Sequence, residues 1–189
     1  NIQSIYWSNG DNPMTTSIIT SNWHDANQRY LITDLDKVRK TLEQYSEHLQ
    51  DTPKANGTDE EIEQTLDEMR NQMSTPPALD TLCKVFRLSP FERDILLLCA
   101  GMELDSHFSS LCAHAQGDPL KTYPTFSLAL AALPEAHWSA LISTAPLRYW
   151  RLIEVGSGSA LTLSPLRIDE RILHYLRGIQ HLDERLSGI

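Results

Sequence analysis

Two cysteines and two histidines lie close together in the middle of the chain and come nearest to the composition of a metal site. The four residues are Cys99, His107, Cys112 and His114. Their thiolate and imidazole groups are the usual ligands of zinc. Their spacing matches no common paired zinc arrangement, and on a helix Cys112 and His114 point about 200° apart. Buried thiols and a surface histidine are the favoured interpretation, so we predict no metal site.

Covalent catalysis by a hydrolase, with a cysteine or serine nucleophile and a histidine base, is a second chemistry that the residue types allow. Five further histidines widen the choice of base without narrowing it: His24, His48, His137, His174 and His181. The acidic run at residues 59–61 falls in the first turn of a predicted helix, where carboxylates complement the helix dipole. Since neither pattern singles out a reacting group, we predict no catalytic residues.

The glycine-rich run at residues 156–159 (GSGS) is the nearest approach to a phosphate-binding loop. A P-loop needs G-x-x-x-x-G-K-[ST] between a strand and a helix, so that Lys reaches the phosphates and Ser or Thr holds magnesium. Here no Lys follows and the next predicted element is a strand. The run is therefore predicted to be a hairpin turn, and we expect no cofactor in this region.

The 189 residues carry a formal net charge of −9, with 41% hydrophobic and 22% charged residues. This is the composition of an ordinary globular chain, and no stretch is apolar for long enough to span a bilayer. The acidic balance opposes non-specific binding to phosphate backbones, so nucleic acid would need a local basic patch. The odd number of cysteines, all in apolar helical patterns, predicts reduced thiols and a cytoplasmic location.

The stretch over residues 87–115 has the clearest helix-start signals and the densest apolar content in the chain. Ser89 is predicted to cap a helix with Pro90 at its first position, and Glu92 completes a capping box with Ser89. This helix is apolar around most of its circumference, so neighbours must cover nearly every side. We predict that it forms the centre of the core.

A glycine and an aspartate separate this central helix from the next one. Gly101 is predicted to end the central helix, since glycine is common just past a helix C-terminus. Asp105 is predicted to cap a second helix over residues 106–115, whose apolar residues fall toward one side. Two packed helices are therefore expected in this stretch.

Two amphipathic helices are predicted ahead of this core, behind a flexible tail at residues 1–22. Over residues 23–49 the apolar positions have the spacing of a coiled-coil seam: Leu31, Leu35, Val38, Leu42, Tyr45 and Leu49. After a Pro- and Gly-containing break, Thr58 and Glu61 form a second capping box ahead of a stripe with the same spacing: Ile62, Leu66, Met69 and Met73. We predict that the stripes pair as an antiparallel helical hairpin, residues 23–74, docked on the main domain.

Residues 75–178 are predicted to form a winged-helix-like domain, which makes the fold class mainly α with one β-hairpin. Beyond the central helices the predicted elements are short: helices over residues 126–133 and 135–142, then strands over residues 147–155 and 161–168. Trp138 and Leu141 are expected to face inward, and Pro165 confines the second strand to an edge. Asp169 is predicted to cap a last helix, which Gly178 closes.

Basic and aromatic residues on the predicted β-hairpin and the helix behind it are the candidate contacts with a partner: Arg148, Trp150, Arg167 and Arg171. A winged helix that reads DNA also needs a basic helix for the major groove, and neither short helix before the hairpin contains Lys or Arg. A surface that binds protein is therefore favoured over one that binds DNA. Ordinary core packing is the alternative for Trp150.

Several motifs arrive in the order found in one family of bacterial AAA+ ATPases, often encoded with phage-tail-like contractile injection systems. They are WHDANQRYLITDLDKVR, PPALDTLCKVFRLSPFERDILLLCAGMELD, AQGDPLKTYPTFSLALAALPEAHWSAL, PLRYWRLIEVGSG, PLRIDERILHYLRG and LDERL. Together they cover most of residues 23–186. The chain resembles the region that precedes the ATPase module in this family.

The resemblance implies a helical segment with a winged-helix-type domain, and a linker at residues 179–189 toward an AAA+ module. The Walker motifs, sensors and arginine finger have no matching positions here, so this region is expected to be non-catalytic, recognising a protein partner or regulating the motor. The full-length protein is expected to be a magnesium-dependent ATPase that assembles as a homo-oligomeric ring. The alternative functions are a DNA-binding winged-helix regulator and a stand-alone hydrolase. Separately, Met14 is a candidate start of the natural chain.

Overall fold

The structure, a computed structural model, describes residues 13–48 and 59–179. It confirms a mainly α fold with one pair of short strands. The helices are α1 (Pro13–His48), α2 (Asp59–Gln72), α3 (Ala78–Phe86), α4 (Pro90–Leu104), α5 (His107–Ala115), α6 (Phe126–Ala132), α7 (Pro146–Tyr149) and α8 (Glu170–Leu176). The strands β1 (Ile153–Val155) and β2 (Leu166–Ile168) lie between α7 and α8. The predictions for residues 1–12, for Leu49 and Thr58, and for the linker beyond residue 179 lie outside the described residues.

Helix α1 is the long amphipathic helix that the spacing predicts, but it begins at Pro13, inside the segment predicted as a tail. Four residues of its seam are buried: Leu31, Leu35, Val38 and Leu42. They share one hydrophobic core with residues of α4, α5, α6 and both strands. The seam therefore faces the main domain. No described helix, α1 included, is long and apolar enough to cross a membrane.

Helix α2 packs on α1 as predicted, but the prediction that the two stripes pair with each other is wrong. Ile62, Leu66 and Met69 form a small separate cluster around Tyr30, which lies beside the α1 seam. The physical reason is the amount of apolar surface that each helix offers to the α1 seam. Helix α4 has more apolar side chains than the short acidic α2, so packing the seam against α4 removes more apolar surface from water and stabilises the fold more. Helix α2 therefore packs against the face of α1 that carries Tyr30.

Helix α4 confirms the predicted start and the predicted central position. The Ser89 hydroxyl accepts a hydrogen bond from Glu92 N (3.2 Å), and the Glu92 carboxylate accepts one from Ser89 N (2.9 Å), which is a capping box. Side chains on every face of α4 are buried: Phe91, Ile95, Leu96, Leu97, Leu98, Cys99 and Ala100. The helix therefore packs within the core and not on its surface.

The predicted end of this helix at Gly101 is wrong, because α4 continues to Leu104 with Gly101 inside it. Gly101 serves close packing: a Cβ at this position would lie 2.4 Å from Cε1 of Phe108, a fully buried ring of α5. The next helix starts close to its predicted position, where the Asp105 carboxylate accepts a hydrogen bond from His107 N (2.9 Å). The glycine thus sets how closely α5 approaches α4.

Replacement of Gly101 by Ala is expected to destabilise the protein by about 1–3 kcal/mol, the usual cost of overpacking a core. Alanine gains helix propensity over glycine, but a buried Phe108 ring cannot retreat far enough to admit the new methyl group. Urea unfolding followed by circular dichroism measures the change. The matched control is Gly101→Ala combined with Phe108→Leu, which should lose less than the sum of the two single variants. A single variant as stable as the natural protein would contradict this packing.

The second predicted short helix, over residues 135–142, is wrong. Only a 3₁₀ turn forms there, at Trp138–Leu141, because Glu135 has a left-handed backbone (φ 51°) that a right-handed helix cannot include. Leu141 is buried as predicted, whereas Trp138 is 61% exposed and does not face inward. Helix α6 forms as predicted, with the Thr125 side chain accepting a hydrogen bond from Leu128 N (3.1 Å).

The strand pair is shorter than predicted. β1 and β2 are antiparallel, with Ile153 opposite Ile168 and Glu154 opposite Arg167. Residues 147–149 belong to helix α7, which Pro146 begins at its first position, and Arg151 has φ 53°, which ends any continuous strand there. Residues 161–163 form a 3₁₀ turn, so a long loop over residues 156–165 joins the strands instead of a tight GSGS turn.

The last helix joins both ends of the fold. Asp169 caps α8 and Gly178 follows it with φ 75°, both as predicted. The buried Asn27 of α1 donates a hydrogen bond to Leu176 O at the end of α8 (2.9 Å) and accepts one from Ala78 N at the start of α3 (2.8 Å). One side chain therefore fixes three helices relative to one another.

Candidate interaction surface

A group of three aromatic rings, two of them exposed and one half-buried, lies where the ends of α3 and α7 meet. The Trp150 ring contacts Phe86 at 5.6 Å between centroids and Tyr149 at 4.9 Å in a T-shaped arrangement. Trp150 is 54% exposed and Tyr149 is 62% exposed, and Val85 of α3, next to Phe86, is 67% exposed. We call Phe86, Tyr149 and Trp150 the aromatic cluster. Trp150 is thus neither a core residue nor an isolated surface residue.

The helices α3 and α7 end with the same turn, which places an arginine directly after each aromatic residue. Arg87 and Arg151 both have left-handed backbones (φ 55° and 53°), a position usually held by glycine. Leu88 N donates to Cys83 O (2.9 Å) and Leu152 N donates to Leu147 O (2.9 Å), as in a Schellman turn. The two turns place exposed cations beside the aromatic cluster.

The candidate Arg148 supports the backbone and is not free to contact a partner fully. Its guanidinium is half-buried and donates a hydrogen bond to Leu141 O (2.6 Å), tying α7 to the 3₁₀ turn before it. The candidates Arg167 and Arg171 are exposed and each has an acidic neighbour. Arg167 lies opposite Glu154 in the strand register, and Arg171 donates to the Asp169 carboxylate (3.1 Å), which lowers the pKa of Asp169.

A protein family described as "Winged helix domain, variant" matches residues 20–189 of this chain. The chain belongs to this family. The match extends over α1 and α2 as well as the compact part that follows, in line with the core that α1 shares with α4. No curated protein and no solved structure matches the chain.

In this winged helix domain, β1, β2 and the loop between them form the wing, and α7 is the helix directly before it. Helix α7 has four residues, too few to lie along a major groove as a recognition helix does. It exposes Tyr149 together with Trp150, while Arg148 is engaged with Leu141 O. Helix α6 exposes only Ser127 and Ala131. Neither helix therefore presents a row of cations to a duplex.

The cysteines of the winged helix domain are free thiols whose surroundings oppose nucleophilic chemistry. Burial raises the pKa of the Cys83 and Cys112 thiols to about 12 and also raises the pKa of Cys99. The reactive thiolate is therefore disfavoured at neutral pH. Within residues 13–48 and 59–179, no group of three or more Cys, His, Asp or Glu side chains could hold a metal ion.

A serine–histidine pair that the sequence patterns did not single out lies at the start of α4. Ser89 Oγ is 2.9 Å from Nε2 of His137, and Nδ1 of His137 is 2.8 Å from the Ser139 hydroxyl. The third member of a hydrolytic triad is a carboxylate that orients the histidine, and here it is a hydroxyl group. Ser89 also accepts the capping hydrogen bond from Glu92 N. The pair therefore ties the residues before α7 to the start of α4.

A charged cluster that no sequence pattern indicated joins α1, α2, α3 and α4. Arg93 donates two hydrogen bonds to Asp34, whose carboxylate is fully buried. Arg70 donates to Asp80 (2.6 Å) and to the Tyr30 hydroxyl (2.7 Å), which in turn donates to Asp80 (3.0 Å). These contacts hold the acidic α2 against the rest of the fold.

Asp94, buried beside this cluster, is expected to make stability depend on pH. Burial raises its pKa to about 6, although Arg93 lies 3.7 Å away and opposes the shift. The unfolded chain has an ordinary pKa near 4, so between about pH 4 and 6 the folded state binds more protons and the free energy of unfolding falls as pH rises. Asp94→Asn should therefore be more stable than the natural protein by about 2–3 kcal/mol at pH 7 and nearly equal to it at pH 4. Urea midpoints across this range measure the difference, and parallel profiles for the two proteins would contradict the prediction.

The signal that would have found this surface is a repeated tripeptide. Phe86-Arg87-Leu88 and Trp150-Arg151-Leu152 have the same pattern, aromatic, arginine and leucine. In each, the leucine amide closes the turn and the arginine occupies the left-handed position. Arginine in place of glycine at a helix end is uncommon, and two such positions mark a pair of matching helix ends.

Proposed function

We propose that this winged helix domain is the non-catalytic, partner-recognising part of an AAA+ ATPase. The observation that carries the proposal is the character of the helix before the wing. This helix exposes Tyr149, and the residue directly after it, Trp150, is also exposed. A DNA-reading domain would present cations at these positions. Exposed clustered aromatic residues are typical of protein-binding surfaces. The resemblance of the sequence to the region before an ATPase module supports the proposal that the domain belongs to an AAA+ ATPase.

In this proposal the chemistry belongs to a separate module that follows Ile189 in the full-length protein. ATP and magnesium would bind there, and a homo-oligomeric ring would form through that module. The winged helix domain would select a protein partner or regulate the motor in the cytoplasm, in association with a contractile injection system. The linker after α8 would join the two parts, and Asn27 and Gln28 fix the position from which it leaves by donating hydrogen bonds to the end of α8.

The test begins with the gene sequence beyond the codon for Ile189. A G-x-x-x-x-G-K-[ST] run between a strand and a helix would support the proposal. The full-length protein should then hydrolyse ATP, and a version lacking residues 1–178 should keep its basal hydrolysis and lose its response to the partner. A stop codon shortly after Ile189 would refute the proposal.

A winged-helix DNA-binding regulator is the second candidate. It is favoured by exposed arginines on and near the wing: Arg151, Arg167 and Arg171. This function predicts that the chain retards duplex DNA at low salt, and that replacing Arg151 by Gly and Arg167 by Ala removes the retardation. No retardation at about 50 mM salt would refute it.

A further inference from the structure

We infer that the aromatic cluster and the arginines beside it bind an acidic peptide segment that carries large apolar side chains. The inference rests on the proposed function, because it names the kind of partner that the recognition surface takes. It depends on three observations: exposed rings held in place, exposed cations around them, and the lack of acidic residues in the two stretches that form the surface.

Tyr149 and Trp150 are exposed but held by ring contacts, and the half-buried Phe86 supports Trp150, which is the arrangement of a binding anchor. Phe86 at the end of α3 contacts Trp150, the residue after α7, and Tyr149 meets Trp150 edge to face. A partner that covers these rings gains the burial of large aromatic groups and has few rotamers to order. Trp and Tyr are also the residue types that dominate binding energy at protein interfaces.

The two stretches that carry the rings have a positive charge, whereas the whole chain has a negative one. Residues 81–91 and 145–153 contain four cations and no Asp or Glu, whereas the chain as a whole has a net charge of −9. Lys84, Arg87 and Arg151 are exposed, and none of them forms an ion pair with a described residue. A partner with carboxylates next to its apolar side chains would complement this surface.

The two arginines are exposed and directly follow rings of the aromatic cluster in the sequence. Each follows its aromatic residue directly in a left-handed turn, and the rings of the two turns are in contact. A segment that covers the rings therefore binds next to two backbone positions that carry exposed arginines. Arginine guanidinium groups bind carboxylates with two parallel hydrogen bonds, which orients the segment as well as attracting it.

Single-stranded nucleic acid is the competing occupant, since it also uses aromatic rings and cations. The acidic chain opposes it, because phosphate binding depends on an excess of positive charge over a larger surface. Neither the wing nor α8 extends the basic area, because Arg167 lies opposite Glu154 and Arg171 is paired with Asp169. The aromatic cluster is therefore assigned to a peptide.

The experiment is a selection of random peptides of about 12 residues displayed on phage against the 189-residue chain. The enriched peptides are expected to contain Asp or Glu beside Leu, Phe or Trp. A synthetic fluorescein-labelled copy of an enriched peptide is then titrated by anisotropy at about 50 and 200 mM salt. Binding should weaken at the higher salt because the contacts are partly ionic.

Three variants locate the binding. Trp150→Ala should lower the affinity of the selected peptide by about tenfold or more, the effect of removing a central anchor. Tyr149→Ser removes a more exposed ring and should also lower the affinity for the peptide. This variant replaces Trp150→Ala in the test if Trp150→Ala does not fold. Arg87→Gly together with Arg151→Gly keeps both left-handed turns and removes their charge, so it should weaken binding and reduce its salt dependence. Lys121→Ala is the matched control: it removes a cation paired with Asp118 in the loop after α5, and it should bind as the natural chain does.

Two results with peptides would overturn the inference: enrichment of peptides without acidic residues, or a selected peptide whose affinity the Trp150 and Tyr149 variants leave unchanged. Tighter binding of a labelled oligothymidine of about 20 nucleotides than of the peptide would also overturn it, in favour of single-stranded nucleic acid. The measurement uses only this chain, so a failure here leaves the ATPase proposal standing. A stop codon after Ile189 would refute that proposal without altering the peptide result.

Discussion

Replacement of Arg93 by Ala is expected to lower the free energy of unfolding by about 3–5 kcal/mol, the usual cost of removing one partner of a buried ion pair. Asp34 is fully buried and receives two hydrogen bonds from this guanidinium. Without Arg93 the carboxylate must stay charged in a poorly solvated site or take up a proton, and both cost free energy. The loss should also loosen the junction of α1 and α4.

Chemical unfolding by urea, followed by circular dichroism, measures this loss. Arg171→Ala is the matched control, because its ion pair with Asp169 is exposed, and the change should stay within about 0.5 kcal/mol. Arg93→Lys keeps the charge but loses the paired geometry, so its stability should fall between those of the natural protein and Arg93→Ala. An Arg93→Ala variant as stable as the control would show that Asp34 is not held by this pair.

Replacement of Asn27 by Ala is expected to cost about 2–4 kcal/mol. The change leaves two buried backbone groups without partners, Ala78 N and Leu176 O, and each unsatisfied group costs about 1–3 kcal/mol. Because Asn27 connects α1 with the start of α3 and the end of α8, the loss should appear first as faster amide exchange at these two helix ends.

Hydrogen–deuterium exchange and urea unfolding of the same sample test both parts of this prediction. Gln28→Ala is the control, since its side chain donates one hydrogen bond to Arg177 O in a more exposed setting (2.6 Å) and should cost about 1 kcal/mol. Equal losses for the two variants, or unchanged exchange at Leu176 in the Asn27 variant, would contradict the role assigned to Asn27.

The features that the sequence predicted well depend on residues close together in the chain. The capping box of Ser89 and Glu92, the cap at Thr125 and the close of α8 at Gly178 are all local hydrogen bonds or backbone preferences. The central position of α4 followed from its apolar circumference, which only a core can cover. These predictions needed no knowledge of which helices meet.

The wrong predictions have two physical origins: close packing between separate elements, and local backbone conformations such as the left-handed Glu135 and Arg151. Gly101 indicated a helix end, yet it lies inside α4 because Phe108 fills the space over it. The branched and aromatic residues after Pro146 favoured a strand, yet α7 forms there. The stripe of α2 matched the α1 seam in spacing, but the seam is buried against α4 and α5.

The candidate surface was predicted only in part for the first of these reasons. Trp150 was named from its type and its place in the predicted strand over residues 147–155, and the structure places it at the centre of the aromatic cluster. Its partner Phe86 is distant in sequence, and no pattern indicated their contact. Arg148 was named as a contact, but its hydrogen bond to Leu141 O depends on the position of the 3₁₀ turn.

The most direct test of partner recognition by the aromatic cluster is photo-crosslinking from it in the full-length protein inside cells. Benzoylphenylalanine replaces Tyr149 in one sample and Leu120 in a second, a control position that is even more exposed and lies in the loop after α5. We expect crosslinks from position 149 to one protein segment with Asp or Glu beside large apolar residues, and no such product from position 120. Crosslinks to nucleic acid from position 149, or the same products from both positions, would contradict this role of the cluster.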